Sequence, residues 1–231
     1  MKLNNKRTIL VGLAFLSICA FWQMYDSIVP LILTKTFHMN ETFSGAIMAA
    51  DNILALFLLP FFGSVSDKSH SKLGKRMPFI LFGTGCAIIL MNILPLLDNS
   101  YAAQPSGFKT ASFVIVLGLL LVAMGTYRAP AVALMPDVTP KPLRSRANAI
   151  INLMGAVGGI LYLGVAAVLY PNSKTAGLDH VNYQPLFIVV SAIMFVAVAV
   201  LFLTIREPKL TAENQALEKQ HPEWNLAQDD G

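Results

Sequence analysis

Six long apolar runs dominate the chain, and each is long enough to cross a lipid bilayer, which takes about 20 residues of helix. Hydrophobic residues make up 55% of the 231 residues and charged residues only 13%, a balance unsuited to a soluble domain. A backbone exposed to lipid must satisfy its own hydrogen bonds, so runs of this length form helices. The sequence therefore predicts an all-α membrane protein with six transmembrane helices. The predicted spans are Thr8–Leu33, Phe43–Phe62, Met77–Leu97, Ala111–Met135, Asn148–Tyr170 and Leu186–Ile205.

The basic residues of the connecting segments are divided unevenly between the two sides of the predicted bundle. Thirteen Lys and Arg residues fall on the side of the two termini, and three fall on the other side. Short loops rich in Lys and Arg remain in the cytoplasm. Both termini are therefore predicted to be cytoplasmic, in a multi-pass protein of the plasma membrane. The thirteen are Lys2, Lys6, Arg7, Lys68, Lys72, Lys75, Arg76, Lys141, Arg144, Arg146, Arg206, Lys209 and Lys219, and the three are Lys35, Lys109 and Lys174.

The chain divides into a transmembrane domain over residues 1–205 and a polar cytoplasmic tail over residues 206–231. The basic start followed by an apolar run is similar to a signal peptide. However, the run continues to Leu33 without a cleavage site, so it is predicted to be the first span. Within the tail, Thr211–Lys219 has the pattern of a short surface helix. A solvated tail is the favoured interpretation.

Three ionisable residues lie inside predicted spans, where a charge costs roughly 3 kcal/mol and usually serves a function. They are Asp26, Asp51 and Arg128. With a rise of about 1.5 Å per residue, Asp51 and Arg128 are predicted near mid-depth and Asp26 toward the outer side. All three are expected to face one cavity. Asn52, which follows Asp51, is a weaker candidate for the same cavity.

The first span carries an unusual density of hydrogen-bonding groups. Gln23, Asp26 and Ser27 share one helical face because they are three or four residues apart. Carboxylates and amides match pairs of sugar hydroxyl groups, and Trp22 or Tyr25 offers a flat apolar face to a sugar ring. The set therefore predicts sugar recognition. The alternative is a buried polar cluster that holds helices together.

Arg128 keeps its proton at any working pH, so its guanidinium needs a carboxylate, a ligand or water. Asp26 and Asp51 are the alternative carboxylate partners. In a proton-coupled cycle, a carboxylate beside an arginine releases its proton readily, and the substrate competes for the arginine. The alternative is a static ion pair that fixes the register of the helices.

Two segments on the cytoplasmic side are predicted to gate the cavity. Asp67 is expected to pair with Arg144 or Arg146 across the inner face, so that the pair stabilises one state and breaks in another. The alternative is charge that only sets topology, and this is the interpretation adopted for Lys72 and Lys75. The predicted gating residues are Gly63, Asp67, Lys68, Gly74 and Arg76 in the first segment and Asp137, Arg144 and Arg146 in the second.

Four glycines, at positions 155, 158, 159 and 164, run along the fifth span. Small residues let two helix backbones approach closely. They predict tight packing against a neighbouring helix and need no ligand to explain them.

Two stretches carry a resemblance to a known family. Pro60–Gly63, Ser66–Lys68 and Gly74–Ile80 together resemble the loop between the second and third helices of the major facilitator superfamily. The same residues, and the stretch from Arg128 to Ala149, are similar to the sucrose and disaccharide carriers among the glycoside–pentoside–hexuronide:cation symporters.

The resemblance implies a fold of twelve helices, built as two six-helix halves around a midplane site. This chain would supply the amino-terminal half and would need a second half, in the same or a separate chain, as its partner. Melibiose-type carriers place paired aspartates where this chain has Ala55 and Leu59, whereas its own acidic residue is Asp51. A proton is therefore favoured over sodium as the coupling cation.

The residues and the resemblance together predict a secondary active transporter that imports a sugar or glycoside with a proton. An enzyme is disfavoured because no His lies in any predicted span and no nucleophile–base pair is evident. No cofactor, metal or nucleic-acid partner is predicted. Two alternatives stay open: a non-transporting truncated or regulatory half-carrier, and an exporter of drug-like compounds, which an apolar and aromatic cavity would favour.

Overall fold

The computed structural model describes residues 3–224, and these residues form a helical bundle. Six of its helices are long and apolar enough to cross a membrane. This confirms the predicted fold class of six transmembrane helices. The α-helices are α1 (Asn5–Leu31), α2 (Glu41–Asp67), α3 (Met77–Ala103), α4 (Gly107–Val138), α5 (Arg144–Leu169), α6 (Asn172–Thr175), α7 (Gln184–Thr204) and α8 (Glu207–Gln220). A π-helical turn, Ile32–Thr36, extends α1, and a 3-10 turn, Lys141–Leu143, precedes α5.

The spanning helices are longer than the apolar runs that predicted them. At 27 residues, α2 is about 40 Å long, which matches a bilayer together with its headgroup layers. Gly63 and Asp67, expected in a loop, therefore lie in the last turns of α2, and Asp137 lies in the last turn of α4. The helices continue because the headgroup layers solvate polar side chains while the backbone keeps its own hydrogen bonds.

Helices α1 and α5 form the closest pair in the bundle. Gly158 lies directly against the backbone of Leu16, and a Cβ there would overlap the Leu16 carbonyl oxygen. A Cβ at Gly155 would lie 2.9 Å from the sulfur of Cys19. Close packing through the α5 glycines is thus confirmed at these two positions. Gly164 has no neighbouring atom within 4 Å of its Cβ position, so the packing explanation was wrong for that residue.

A buried tyrosine of α4 bonds to α1 through its hydroxyl, and its backbone lies against α3. Tyr127 is fully buried, and its hydroxyl donates to the carbonyl of Ala14 at 3.0 Å and bonds to Ser17 at 2.6 Å. A Cβ at Gly83 of α3 would lie 2.7 Å from the backbone nitrogen of Tyr127. The Tyr127 hydroxyl therefore fixes the position of α1. The absence of a side chain at Gly83 lets α3 approach the α4 backbone at Tyr127.

Helix α2 lies at the periphery and packs mainly on α4. None of its most apolar 18-residue stretch is buried within the bundle. Leu56 and Phe57 are about two-thirds exposed, at 70% and 67%. This face of α2 is therefore available to lipid or to another layer of helices.

The segment after the sixth span forms α8, which packs against the end of α4. Glu207 and Asn214 of α8 are buried. The predicted short helix Thr211–Lys219 lies within α8. Most residues of α8 are exposed or half-buried, but Glu207 and Asn214 tie it to the bundle, so the tail is not fully solvated over residues 207–220. The remainder of the predicted tail, from residue 225 onward, lies outside the described residues.

Candidate functional site

A small cleft between α1, α2 and α4 brings together three of the residues singled out in the spans. Trp22, Asp51 and Arg128 line it, together with apolar side chains of α2 and α4. The cavity has room for about 20 Å³, which suits a single water molecule and is far too small for a sugar. Of the three ionisable residues predicted to face one cavity, Asp51 and Arg128 line this cleft and Asp26 does not. The other lining residues are Leu54, Ala55, Leu58, Leu59, Leu121 and Gly125.

Arg128 lies against an aromatic ring and not against a carboxylate. Its guanidinium carbon is 5.6 Å from the centre of the Trp22 ring, a cation–π contact. Among residues 3–224, Arg128 forms no ion pair with Asp26 or Asp51. Neither of the two expected pairings is formed in this conformation, so the guanidinium keeps donors for another acceptor.

Asp51 is oriented by the residue that follows it. One of its carboxylate oxygens accepts from the backbone amide of Asn52 at 2.6 Å and from the Asn52 side chain at 2.9 Å. Asn52 itself is exposed on α2, away from the lining of the cleft. Its role here is to hold the Asp51 carboxylate, which leaves the second carboxylate oxygen free of the Asn52 contacts.

The polar face of α1 is only partly open. Asp26 is exposed, while Gln23 and Ser27 are half-buried. The Ser27 hydroxyl donates to the Gln23 carbonyl at 2.7 Å, within the same helix. Tyr25 is fully buried, so it cannot offer a flat face to a sugar ring, and of the two predicted aromatic candidates only Trp22 borders the cleft.

Arg76 is the centre of a charged network where α2, α3 and α4 end on the basic side. Its guanidinium donates to Asp67 of α2 and, at 2.8 Å, to Asp137 of α4. It also donates to Ser66 at 2.5 Å and to the carbonyl of Gly63 at 3.4 Å. Burial alone would lower the pKa of Arg76, but the hydrogen bonds and charges of Asp137 and Asp67 raise it. The guanidinium therefore stays charged and ties three helix ends together.

The predicted pairing of Asp67 with Arg144 or Arg146 was wrong, because Arg76 is buried between the two carboxylates and reaches both. Arg144 instead donates to the carbonyls of Pro136 and Thr139, at 2.9 and 3.1 Å, and pairs with Glu218 of α8 at 2.9 Å. Within the described part of the chain, the exposed residues Lys68 and Arg146 form no ion pair.

Helix α8, near the carboxyl terminus, completes the network. The Glu207 carboxylate accepts from the backbone amides of Lys75, Arg76 and Met77 at 2.7, 2.9 and 2.8 Å. These amides begin α3 and lack partners within the helix. A carboxylate at this position also suits the partial positive charge of a helix start. Sequence reasoning missed Glu207 because it directly follows a basic residue at a membrane boundary and resembles ordinary interfacial charge.

Gly74 makes room for this carboxylate. Its φ of +115° lies in a region that side chains disfavour. A Cβ there would overlap the Glu207 carboxylate. Glycine at position 74 therefore lets the chain pass close to the Glu207 carboxylate, and its predicted gating role stays a prediction.

A second polar cluster lies at the opposite end of the bundle. His180 bonds to Asn99 at 2.9 Å and to Thr36 at 3.3 Å, and it lies 4.0 Å from Asp98. Asp98 is fully buried. Sequence reasoning missed it because it falls one residue beyond the predicted third span, which ended at Leu97, whereas α3 continues to Ala103.

Six helices long and apolar enough to cross a membrane define a polytopic membrane protein, with Asp51 and Arg128 in an internal cleft and a charged network at one face. The family model of the Major Facilitator Superfamily matches residues 11–226. The chain therefore belongs to the Major Facilitator Superfamily, which is a superfamily of transporters. Its six spans fit one half of a twelve-helix carrier.

Several curated relatives are similar to parts of the chain. Sucrose transport protein SUC3 of Arabidopsis thaliana is 35% identical over 158 residues, 63% of this chain and 26% of that protein. Sucrose transport protein SUT3 of Oryza sativa subsp. indica is 36% identical over 154 residues, 61% of this chain and 30% of that protein. Solute carrier family 45 member 3 of Homo sapiens is 25% identical over 186 residues, 79% of this chain and 34% of that protein. The chain thus spans between a quarter and about a third of the length of these relatives.

Proposed function

We propose that this chain is the amino-terminal half of a carrier that moves a sugar or glycoside across the plasma membrane together with a proton. Its membership of a transporter superfamily and its similarity to proteins named as sucrose transporters support the substrate class. The observation that carries the proposal is the cleft in which Arg128 and Asp51 lie beside Trp22. Charged donors and acceptors beside a flat ring are suited to binding a sugar.

Arg128 acts as the donor to sugar hydroxyl oxygens in this proposal. Its guanidinium has no carboxylate partner among the described residues, and it is held over the Trp22 ring. Asp51 accepts from the hydroxyl groups, because its carboxylate is oriented from one side by Asn52. Asp26 and Gln23 extend the polar surface outward along α1.

Proton coupling is assigned to the carboxylates of Asp51 and Asp26. A carboxylate that binds a proton becomes neutral, and a neutral group crosses the low-dielectric interior at much lower cost than a charged one. Arg128 cannot take this role because it stays charged. Loading of the proton and of the sugar would thus occur at neighbouring groups.

The Arg76 network is proposed as the inner gate. Arg76 joins the ends of α2 and α4 through Asp67 and Asp137, and Arg144 joins the α5 start to α8 through Glu218. Release of these pairs would let the helix ends separate. In this proposal both termini lie on the cytoplasmic side, which the excess of basic residues on that face supports.

A second six-helix half is required in this proposal because the cleft alone holds only about one water molecule. The exposed apolar face of α2 is a surface against which such a half would pack. The second half is either in the same chain or in a separate chain, as a second copy of this chain or another six-span chain.

The test is uptake of radiolabelled sucrose by liposomes that contain only this purified chain, with an inward proton gradient, alongside the native mass of the protein in mild detergent. Uptake that disappears when an ionophore dissipates the gradient, together with a dimer mass, is the expected result. Gradient-independent uptake would overturn the coupling. No uptake from a monomer that binds no sucrose would favour the non-transporting half-carrier.

A further inference from the structure

The surface between α1 and α7 changes from apolar to strongly basic along its length. Within the membrane-crossing length it is an open surface groove, lined only by apolar side chains of the two helices, with a volume of about 440 Å³. At the basic face lies a second cavity of about 460 Å³, lined by the start of α1 and the α7–α8 junction. The residues that line the apolar groove are Leu13, Leu16, Ile188, Val189, Ala192, Ile193, Val196 and Ala197.

The two cavities follow each other along the same pair of helices. Leu10 lines the basic cavity and Leu13 the apolar one, and residues three apart are about one helical turn from each other. On α7, Thr204 lines the basic cavity and Ala197 the apolar one. The two cavities therefore follow each other along the same pair of helices, with the apolar one within the membrane-crossing length and the basic one at the helix ends.

Four cations converge on the basic cavity from two segments that are distant in sequence. Lys6 and Arg7 come from the start of α1, and Arg206 and Lys209 come from the α7–α8 junction. One carboxylate, Glu213, also lines the cavity and lies 3.9 Å from Lys209. The cavity thus carries an excess of three positive charges in a space about the size of a lipid headgroup.

Most of this charge is not neutralised by the protein. Among residues 3–224, Lys6 and Arg206 form no ion pair, and both are exposed. Arg7 is held in place by a 3.1 Å hydrogen bond to the carbonyl of Val138, which leaves its other nitrogens available. Unpaired cations beside an apolar groove at a membrane boundary attract an anion that carries acyl chains.

The geometry points to a binding site for one anionic phospholipid, with its phosphate between the four cations and an acyl chain in the α1–α7 groove. A basic stretch that only sets topology needs no cavity and no apolar continuation, whereas this one has both. The site is separate from the Trp22 cleft, which lies between α1, α2 and α4. The proposal therefore stands whether or not the chain carries a sugar.

The test compares the purified chain in nanodiscs of phosphatidylcholine with and without phosphatidylglycerol, by native mass spectrometry and thermal unfolding. The double variant Lys6→Gln/Arg206→Gln removes two of the cations. Since a cation near an anionic surface contributes about fivefold in affinity, retention of phosphatidylglycerol should fall by roughly 30-fold. The matched control, Lys72→Gln/Lys219→Gln, removes two cations from the same face outside the cavity and should retain the lipid.

Two further arms separate the headgroup from the acyl chain. Ala192→Trp fills the apolar groove at an exposed α7 position and should weaken phosphatidylglycerol retention while all four cations remain. Inorganic phosphate and diacylglycerol, added separately to the wild-type chain, should give no thermal shift, because each lacks one of the two parts.

Equal retention by the wild-type chain and the Lys6→Gln/Arg206→Gln variant would overturn the proposal. Equal loss in the Lys72→Gln/Lys219→Gln control would overturn it too, because the attraction would then be a property of the whole face. A thermal shift with inorganic phosphate alone would replace the lipid site with a site for free anions.

Discussion

The carboxylate of Glu207 fills the space that a side chain at Gly74 would need. The two residues are far apart in sequence, yet a Cβ at position 74 would overlap the Glu207 carboxylate. Through this contact, the loop between α2 and α3 is shaped by the helix that follows the sixth span. The effects of substitutions at Gly74 and at Glu207 on stability should therefore be coupled.

Gly74→Ala should destabilise the bundle by about 2–4 kcal/mol, from backbone strain at positive φ of about 1–2 kcal/mol and from displacement of the three hydrogen bonds of Glu207. In a Glu207→Ala background, the same change should cost only the strain, because the overlap is gone. Thermal unfolding of the four variants gives the coupling energy. Gly85→Ala, a glycine with an empty Cβ position, is the control, and additive effects of Gly74→Ala and Glu207→Ala would contradict the prediction.

Arg76→Lys should loosen the network at the basic face although it keeps the charge. A lysine ammonium cannot reach Asp67, Asp137 and Ser66 together as the planar guanidinium does. We expect a loss of about 2–3 kcal/mol in unfolding free energy, less than the 3–5 kcal/mol typical of a broken buried pair. The distance between spin labels at the ends of α2 and α4 should also broaden. Lys75→Arg, at the exposed neighbouring position, should leave both measurements unchanged.

The Arg76 network should not respond to pH between neutral and moderately alkaline conditions. The pKa of Arg76 is raised, so its stabilising contribution is fully present below the ordinary arginine range and is lost only at more alkaline pH. The spin-label distance should therefore stay constant from neutral pH up to about pH 10. Broadening over that alkaline range would show that Arg76 loses its proton and is less tightly held than its contacts indicate.

Gly158→Ala and Gly164→Ala make a matched pair on α5. At Gly158, a methyl group would overlap the Leu16 carbonyl, so α1 and α5 must move apart, whereas Gly164 has open space. Overpacking of this kind costs about 1–3 kcal/mol. Gly164→Ala should be neutral or slightly stabilising, because alanine favours the helix by roughly 1 kcal/mol over glycine. Equal effects of the two changes on thermal unfolding would mean that α1 and α5 are not in close contact.

The sequence predicts much of the fold because bilayer-length apolar runs and small residues at helix spacing leave few alternatives. The sequence predicts less well which charged side chains pair with each other. Asp67, Arg76 and Arg144 all lie on one face by charge alone, and only the packing of α2, α3 and α4 decides that Arg76 lies between the carboxylates. The π-system of Trp22 was expected to face a sugar ring, yet it also takes the Arg128 guanidinium. Such a contact depends on side-chain direction and not on residue type.

Helix ends were the other source of error. The predicted spans stopped where apolar residues stop, so Asp98 was placed outside α3 and Glu207 in a solvated tail. In the structure both are buried, Asp98 beside His180 and Glu207 at the start of α3. Glu207 is buried where the start of α3 supplies three donors, whereas Asp98 lies 4.0 Å from His180 and its oxygens lack a hydrogen bond among the described residues. Hydropathy alone carries no information about such neighbours.

Arg128→Gln is the sharpest test of the proposed sugar site, and Trp22 supplies its reporter. The chain contains two tryptophans, Trp22 and Trp224, so Trp224→Phe leaves Trp22 as the single fluorophore. Sucrose that binds beside the ring should change its emission, while sorbitol at equal osmolality should not.

Replacing the guanidinium removes a charged donor worth about 1.5–3 kcal/mol per hydrogen bond, so sucrose affinity should fall at least about tenfold. Lys219→Gln, far from the cleft on α8, should bind sucrose as the parent does. An unchanged affinity in Arg128→Gln would remove Arg128 from the site while leaving Asp51 and Trp22 to be tested by the same titration.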